Sequence, residues 1–472
     1  MSKKKTNRIT IIIKQLFPLI ILLIGIFYGV SNLETIRLWF AGASGDTADI
    51  FIDTQAVLGN MPRPWRNLAQ GGEDHNWRIQ PIIPKVAALH PEYIRIDHLY
   101  DFFDIVTREN GQLRFNWTKV DSLIADILAT GAYPYISLSY TPAALNDGNI
   151  IEPPQNYNEY QLVIQRTIEH FSRDLAIDSV IYEVWNEPDL FGGWKVYGNK
   201  NYLTLYAAAA RGAQAAAANG ALAFKFGGPA TTALYQNWIE SLLTFAYEQG
   251  LRLDFISWHR YDRNISVFEE DYAKALEWVS NFPQYPDLEF HITEWGHDSK
   301  NDVGYDNVYS AAHTAAGSIA MVGKINRAFV FEVQDGKDPA GQIFWGRWGL
   351  ISHQEFGSKE KSRYYALKFI DQIADQRLQI EGNGTWVKGM AAKNGEAVEV
   401  ILANYDPLGR HSETVPLTFT KLQNQNYLYE QLGFDNISRS EEIATTEAEL
   451  RVNVPMLPNT ILKITLTPQT VE

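Results

Sequence analysis

Two short stretches carry the residue types from which acid–base chemistry can be built. Ile181-Tyr182-Glu183-Val184-Trp185-Asn186-Glu187-Pro188-Asp189 is a run of β-formers that stops at Asn-Glu-Pro, and Glu289-Phe290-His291-Ile292-Thr293-Glu294-Trp295-Gly296 repeats the design. Each is expected to deliver a carboxylate, Glu187 or Glu294, to the C-terminal tip of a strand, and Pro188 biases Glu187 towards an extended backbone. A protonated carboxyl beside an ionised one is what cleavage of a glycosidic bond requires. The first donates to the leaving oxygen and the second attacks the anomeric carbon. Burial and mutual repulsion must drive their pKa values apart. Taken alone, Asn-Glu-Pro at a strand end is equally a turn with a solvated carboxylate, so the surrounding elements have to decide.

Those elements alternate. Strand candidates are Ile50–Val57, Tyr93–Ile96, Tyr133–Ser139, Val180–Trp185, Phe224–Gly228, Phe255–Trp258, Phe290–Thr293 and Ala328–Val333. Between them lie helical patterns such as Asn158–Arg173, with Tyr160, Ile164, Ile168 and Phe171 on one face, and Tyr202–Ala218, Tyr235–Gln249, Val267–Val279, Val308–Val322 and Lys359–Ala374. The alternation predicts an α/β chain with a (β/α)8 TIM barrel over residues 46–378. Glu187 then ends the fourth strand and Glu294 the seventh, and closure of the barrel brings both tips to one rim. From about Gln379 short β-like pieces with turn signals predict a C-terminal β-sandwich over 379–472, a supporting unit with no chemistry of its own.

Residues 1–45 form a third segment. Lys3, Lys4, Lys5 and Arg8 precede an apolar stretch from Ile9 to Val30, broken at Lys14-Gln15. A basic flank before such a run is a membrane-targeting signal, read as an uncleaved transmembrane anchor through residues 9–30 with the catalytic domain extracytoplasmic. Secretion after signal cleavage is the alternative. Composition narrows the partners. A net charge of −14, with basic residues clustered only at the N-terminus, excludes nucleic acid. No glycine-rich phosphate loop follows an early strand, which argues against a nucleotide. The absence of cysteine excludes disulfides, thiol nucleophiles and Cys-bound metals.

Tyr182–Asp189 with Gly193-Trp194, and Ile292-Thr293-Glu294 further on, resemble the Glu-x-Trp-Asn-Glu-Pro and Thr-Glu signatures of the clan A retaining glycoside hydrolases. The likeness is greatest to family 39, which includes β-xylosidases, α-L-iduronidases and exopolysaccharide hydrolases. The resemblance implies Glu187 as general acid/base and Glu294 as nucleophile, with Asn186 on the sugar 2-hydroxyl. It implies that Arg95, in Tyr93-Ile94-Arg95-Ile96, holds the nucleophile ionised and lowers its pKa, while burial raises that of Glu187. His259 and Tyr261, after the sixth strand, become candidates for sugar and nucleophile contacts. Trp194, Trp295, Phe344, Trp345 and Trp348 all follow strand ends, and of these Trp194, Trp295 and Trp345 are taken as stacking platforms for sugar rings. Glu183 reads as a lumen carboxylate held by hydrogen bonds.

The pattern departs from the family's in two places. Asp97 stands where a histidine follows the strand-two arginine, and the eighth strand, Phe329–Asp335, lacks the usual tryptophan at its end. The reaction expected is double displacement on a polysaccharide or oligosaccharide, with no metal and no cofactor. A non-catalytic polysaccharide-binding scaffold and a transglycosylase are the alternatives.

Overall fold

The computed structural model describes residues 45–469, apart from 72, 73, 76, 339, 424 and 446. The anchor expected between Ile9 and Val30 lies outside them. No helix among the described residues is long and apolar enough to cross a membrane.

β1 (Ile50–Asn60) alternates buried and exposed positions over its first residues, with Ile50 and Ile52 inward. This period of two suits a strand with one covered face. The sequence places it first in the barrel, but it pairs elsewhere: antiparallel with Gln376–Glu381 and parallel with Glu413–Thr420. The first barrel strand is instead β2 (Asn67–Gln70), which is buried throughout. Its residues Asn-Leu-Ala-Gln include no β-branched or aromatic side chain, so no strand pattern announces it. One strand replaces another in the count, and the later positions keep their order.

β2 is followed by β3 (Tyr93–Ile96), β4 (Tyr133–Ser137), β5 (Val180–Glu183), β6 (Phe224–Thr231), β7 (Phe255–Tyr261), β8 (Glu289–Gly296) and β9 (Arg327–Phe331). Together they close an eight-stranded barrel in chain order, each parallel to its neighbours. Ala69, Tyr93, Tyr135, Ile181, Phe255 and Phe329 pack together as one cluster within it. Outside, the helix Tyr157–Glu169 buries Tyr160, Val163, Ile164, Thr167 and Ile168, the three- and four-residue spacing of a helix face laid on a sheet. Asn156 caps it by accepting from the Asn158 amide at 2.9 Å.

Beyond residue 375 the chain forms a nine-stranded sheet together with β1. Its core holds Ile50, Ile52, Val400, Leu417, Phe419 and Ile464. A second apolar surface, with Met390, Ile401 and Ala403, merges into the barrel's own core. The Tyr405 hydroxyl meets that of Tyr309 on the helix Val308–Met321 at 2.6 Å. The sandwich expected over 379–472 is thus a unit completed by a strand from the other end of the barrel.

Candidate active site

The tips of the barrel strands surround a cavity of about 610 Å3 whose wall includes Asn186, Glu187, Tyr261 and Glu294. Arg95, on β3 and wholly buried, is the hub beneath it. Its Nε donates to Glu183 Oε2 at 2.8 Å, Nη1 to Glu294 Oε1 at 3.0 Å and Nη2 to Asn186 Oδ1 at 2.8 Å. One planar guanidinium therefore fixes the spacing of three side chains from two strand ends. Burial opposes its charge, but the carboxylates of Glu183, Glu294 and Asp97 outweigh burial and raise its pKa. Glu183 also lies 3.3 Å from the Tyr135 hydroxyl. It is a bonded lumen carboxylate, as expected from its place on the same strand face as Glu187.

Glu187 leaves β5 differently from expectation. Its φ is +46° and that of Trp185 +74°, both in the left-handed region rather than extended. The hydrogen bonds supply the reason. The Glu187 amide donates to Ala230 on β6 at 2.9 Å, while its carbonyl accepts from Leu190 at 2.9 Å and Phe191 at 2.7 Å. Meeting all three turns the backbone sharply at the rim and overrides the bias from Pro188, at a cost of about 1–3 kcal/mol for each such residue.

The two glutamates converge on β7. His259 Nδ1 lies 2.9 Å from Glu187 Oε1 and 3.5 Å from Glu294 Oε2, and the Tyr261 hydroxyl donates to Glu294 Oε2 at 2.9 Å. A carboxylate oxygen of each glutamate and a ring nitrogen of His259 all lie within 4.8 Å of one another. Burial pulls the His259 ring down, yet Glu294 and Glu187 outweigh it and its pKa is raised. Burial pushes the Glu294 carboxyl up, His259 and Arg95 pull it down, and Glu187 and Asp97 push with burial. The expectation that Arg95 leaves this carboxyl below the ordinary range is corrected: Arg95 acts in that direction, but full burial beside two other acids exceeds it. The same three side chains, two carboxylates and an imidazole, could also hold a divalent cation, although Arg95 and Tyr261 already engage both Glu294 oxygens.

Separations near 5–5.5 Å between the acting carboxyl groups characterise retaining glycosidases, and those that invert stand roughly 6.5–9.5 Å apart to admit a water. A nearest-oxygen gap within 4.8 Å is nearer the retaining spacing than the inverting one and suits direct attack by one carboxylate while the other transfers the proton.

The family model described as glycosyl hydrolases family 39 matches residues 58–416. The chain belongs to this family. A carboxylate pair of this spacing is of the kind that cleavage of an O-glycosidic bond requires. The chain is 26% identical over 309 residues to a β-xylosidase of Geobacillus stearothermophilus, a match covering 58% of this chain and 60% of that one. It is 28% identical over 347 residues to a β-xylosidase of Caldicellulosiruptor saccharolyticus, covering 67% and 69%. The first match thus spans less than two thirds of its relative. The crystal structure of a monomeric β-xylosidase from Caulobacter crescentus superposes with a TM-score of 0.72 at 21% identity, covering 90% of this chain and 100% of that one, and shows the shared fold.

The family 39 chain brings Arg95, Asn186, Glu187, His259, Tyr261 and Glu294 together, but not the expected tryptophan platforms. Trp194 is buried against Trp185, with ring centres 5.1 Å apart, and Trp295 is buried against Phe268 at 5.4 Å. Trp345 lies under the Arg347 guanidinium, 4.8 Å from its ring centre, and is not among the residues lining the cleft. Side chains alternate along a strand, so a tryptophan next to an inward glutamate, as in Trp295, points outward into the helical layer. The aromatic wall is made by Tyr261, Phe331 and Trp348, with Phe331 and Trp348 in edge contact at 5.6 Å. Gly71 makes room for Phe331: a Cβ there would lie 2.5 Å from its ring. Asp97, His98, Tyr140, Leu190 and Phe191 also line the cleft. Of these, Asp97 had a signal in the sequence, as the departure beside Arg95.

Proposed function

We propose that the protein is a retaining glycosidase acting by double displacement, with Glu294 as nucleophile and Glu187 as general acid/base. The observation that carries the reading is the gap within 4.8 Å between the two carboxylates, with Glu294 held at both oxygens by Arg95 and Tyr261. Glu294 attacks the anomeric carbon while Glu187 protonates the departing oxygen. Glu187 then takes a proton from the water that releases the sugar from the Glu294 ester. The β-xylosidase relatives support a xylosyl glycoside as substrate.

Replacing Glu294 by Ala and, separately, Glu187 by Gln is expected to lower hydrolysis of 4-nitrophenyl β-D-xylopyranoside by at least about 10²-fold. Azide is expected to restore turnover of the Glu294→Ala protein with inverted glycosyl azide as product. Proton NMR of the first sugar released by the unaltered enzyme should show the β-anomer. Full activity in either variant, or an α-anomer, refutes the assignment.

The basic flank and apolar run of residues 3–30 support an extracytoplasmic barrel acting on a polymer at the cell surface, tethered through residues 9–30. Fusion of a periplasm-dependent phosphatase after residue 45 is expected to be active in cells. An inactive fusion beside an active cytoplasmic reporter at the same junction contradicts the placement.

A further inference from the structure

Asp97 stands one residue beyond β3, where the chain turns over the rim. It is only 8% exposed and lines the cleft, yet the hydrogen bond it accepts among the described residues is a long one, 3.4 Å from Asn186 Nδ2 to its Oδ2. A carboxylate offers about four lone-pair sites, and a buried one short of donors is unfavourable. The cations nearby are engaged elsewhere. Arg95 serves Glu183, Glu294 and Asn186, and His98 Nδ1 lies 2.7 Å from Asp101. Burial pushes the Asp97 carboxyl up against the opposing pull of His98 and Arg95. Among the described residues no shorter hydrogen bond to Asp97 is formed, so a donor on whatever fills the cleft can reach it.

The position says which donor. Arg95 holds Glu294 through Nη1 and Asn186 through Nη2, so Asn186 lies one guanidinium width from the nucleophile. A sugar whose C1 faces Glu294 turns its C2 hydroxyl towards Asn186 and the next hydroxyl round the ring towards Asp97. We infer that Asp97 accepts a hydrogen bond from the C3 hydroxyl of the sugar held against Glu294, and that the enzyme requires this hydroxyl to be free. The inference rests on the retaining-glycosidase reading above. An ester or a branch at O3 would leave Asp97 facing oxygens that carry no proton, and a sugar anionic on that side would meet a like charge.

The test compares the best substrate among 4-nitrophenyl β-D-xylopyranoside, α-L-arabinopyranoside and β-D-glucopyranoside with its 3-deoxy counterpart. The comparison is made in the unaltered enzyme, in Asp97→Ala and in Asp97→Asn. The unaltered enzyme is expected to lose about 10- to 100-fold in kcat/KM on the 3-deoxy sugar. In Asp97→Ala the ratio of the two substrates should collapse towards one, and comparing ratios cancels the sugars' own reactivity. Asp97→Asn, which keeps an accepting oxygen and nearly the same shape, should be intermediate, and it carries the test should the alanine variant not fold. A ratio near one in the unaltered enzyme, or an unchanged ratio in the variants, overturns the Asp97 assignment alone. Failure of the unaltered enzyme to hydrolyse any of the glycosides overturns the glycosidase reading and this one with it.

Discussion

Tyr261 touches the proposed nucleophile at the one oxygen that Arg95 does not hold, donating to Glu294 Oε2 at 2.9 Å. A hydrogen bond to a charged group is worth about 1.5–3 kcal/mol, so Tyr261→Phe should lower kcat roughly 10- to 100-fold. The sign of the pH effect follows from which form the bond favours. The hydroxyl stabilises the Glu294 anion, and removing it raises a carboxyl that burial has already raised. The acidic limb of kcat/KM should therefore lie above the ordinary glutamate value of about 4.3 in the parent enzyme and move higher still in Tyr261→Phe. A variant whose limb stays in place would show that Tyr261 does not govern this ionisation. Arg95, Asn186, Glu187, His259, Tyr261 and Glu294 were legible because each sits at a strand tip, and a parallel barrel sends every such tip to one rim. Trp194, Trp295 and Trp345 were not, because which way a large ring turns after a strand depends on the path of the following loop. That path is set by contacts such as Phe191 to Glu187, distant from any sequence pattern.

The helix Val308–Met321 is pressed against β8 closely enough to leave no room for a methyl group. A Cβ at Gly317 would lie 2.8 Å from Trp295 Cζ3, and Trp295 directly follows Glu294. Intrinsic propensity favours alanine over glycine in a helix by about 0.5–1 kcal/mol, while forcing atoms into a filled core costs roughly 1–3 kcal/mol. The second effect should win: Gly317→Ala is expected to unfold at lower urea concentration than the parent and to lose activity as Trp295 displaces its neighbour. A more stable variant would mean that the helix shifts freely. Helices and strands rich in β-branched or aromatic residues were readable from their pattern, and Tyr202–Ala218 and Tyr93–Ile96 match their expected bounds. β2 was not, since four buried residues with no β-branched member acquire their strand geometry only from β3 and β9 on either side. For β1 the local state was legible and the partner was not, because its pattern fits either sheet.

Across the whole molecule, histidines buried as neutral rings make the fold acid-labile. Burial lowers His291 to about 4, although Glu289 opposes it, and lowers His297 to about 2. His313 is held well below the ordinary value by burial and by His297. Below about pH 6.5 the unfolded chain takes up protons that these folded rings refuse, so stability is complete above that pH and falls as the pH drops. For His291 the window closes near pH 4, and its contribution is on the order of 3 kcal/mol. Urea unfolding at pH 5 should therefore show a lower midpoint than at pH 7.5, and equal midpoints would refute the assignment of neutral rings. The joining of β1 to Gln376–Glu381 and Glu413–Thr420 adds a matter of timing. Residues Ile50–Asn60 leave the ribosome long before either partner exists, and the nine-stranded sheet can close only once the chain has been made as far as Pro468. That closure serves as a check on completeness. A chain broken off after the barrel keeps Ile50 and Ile52 uncovered, an open edge that proteases and chaperones can recognise.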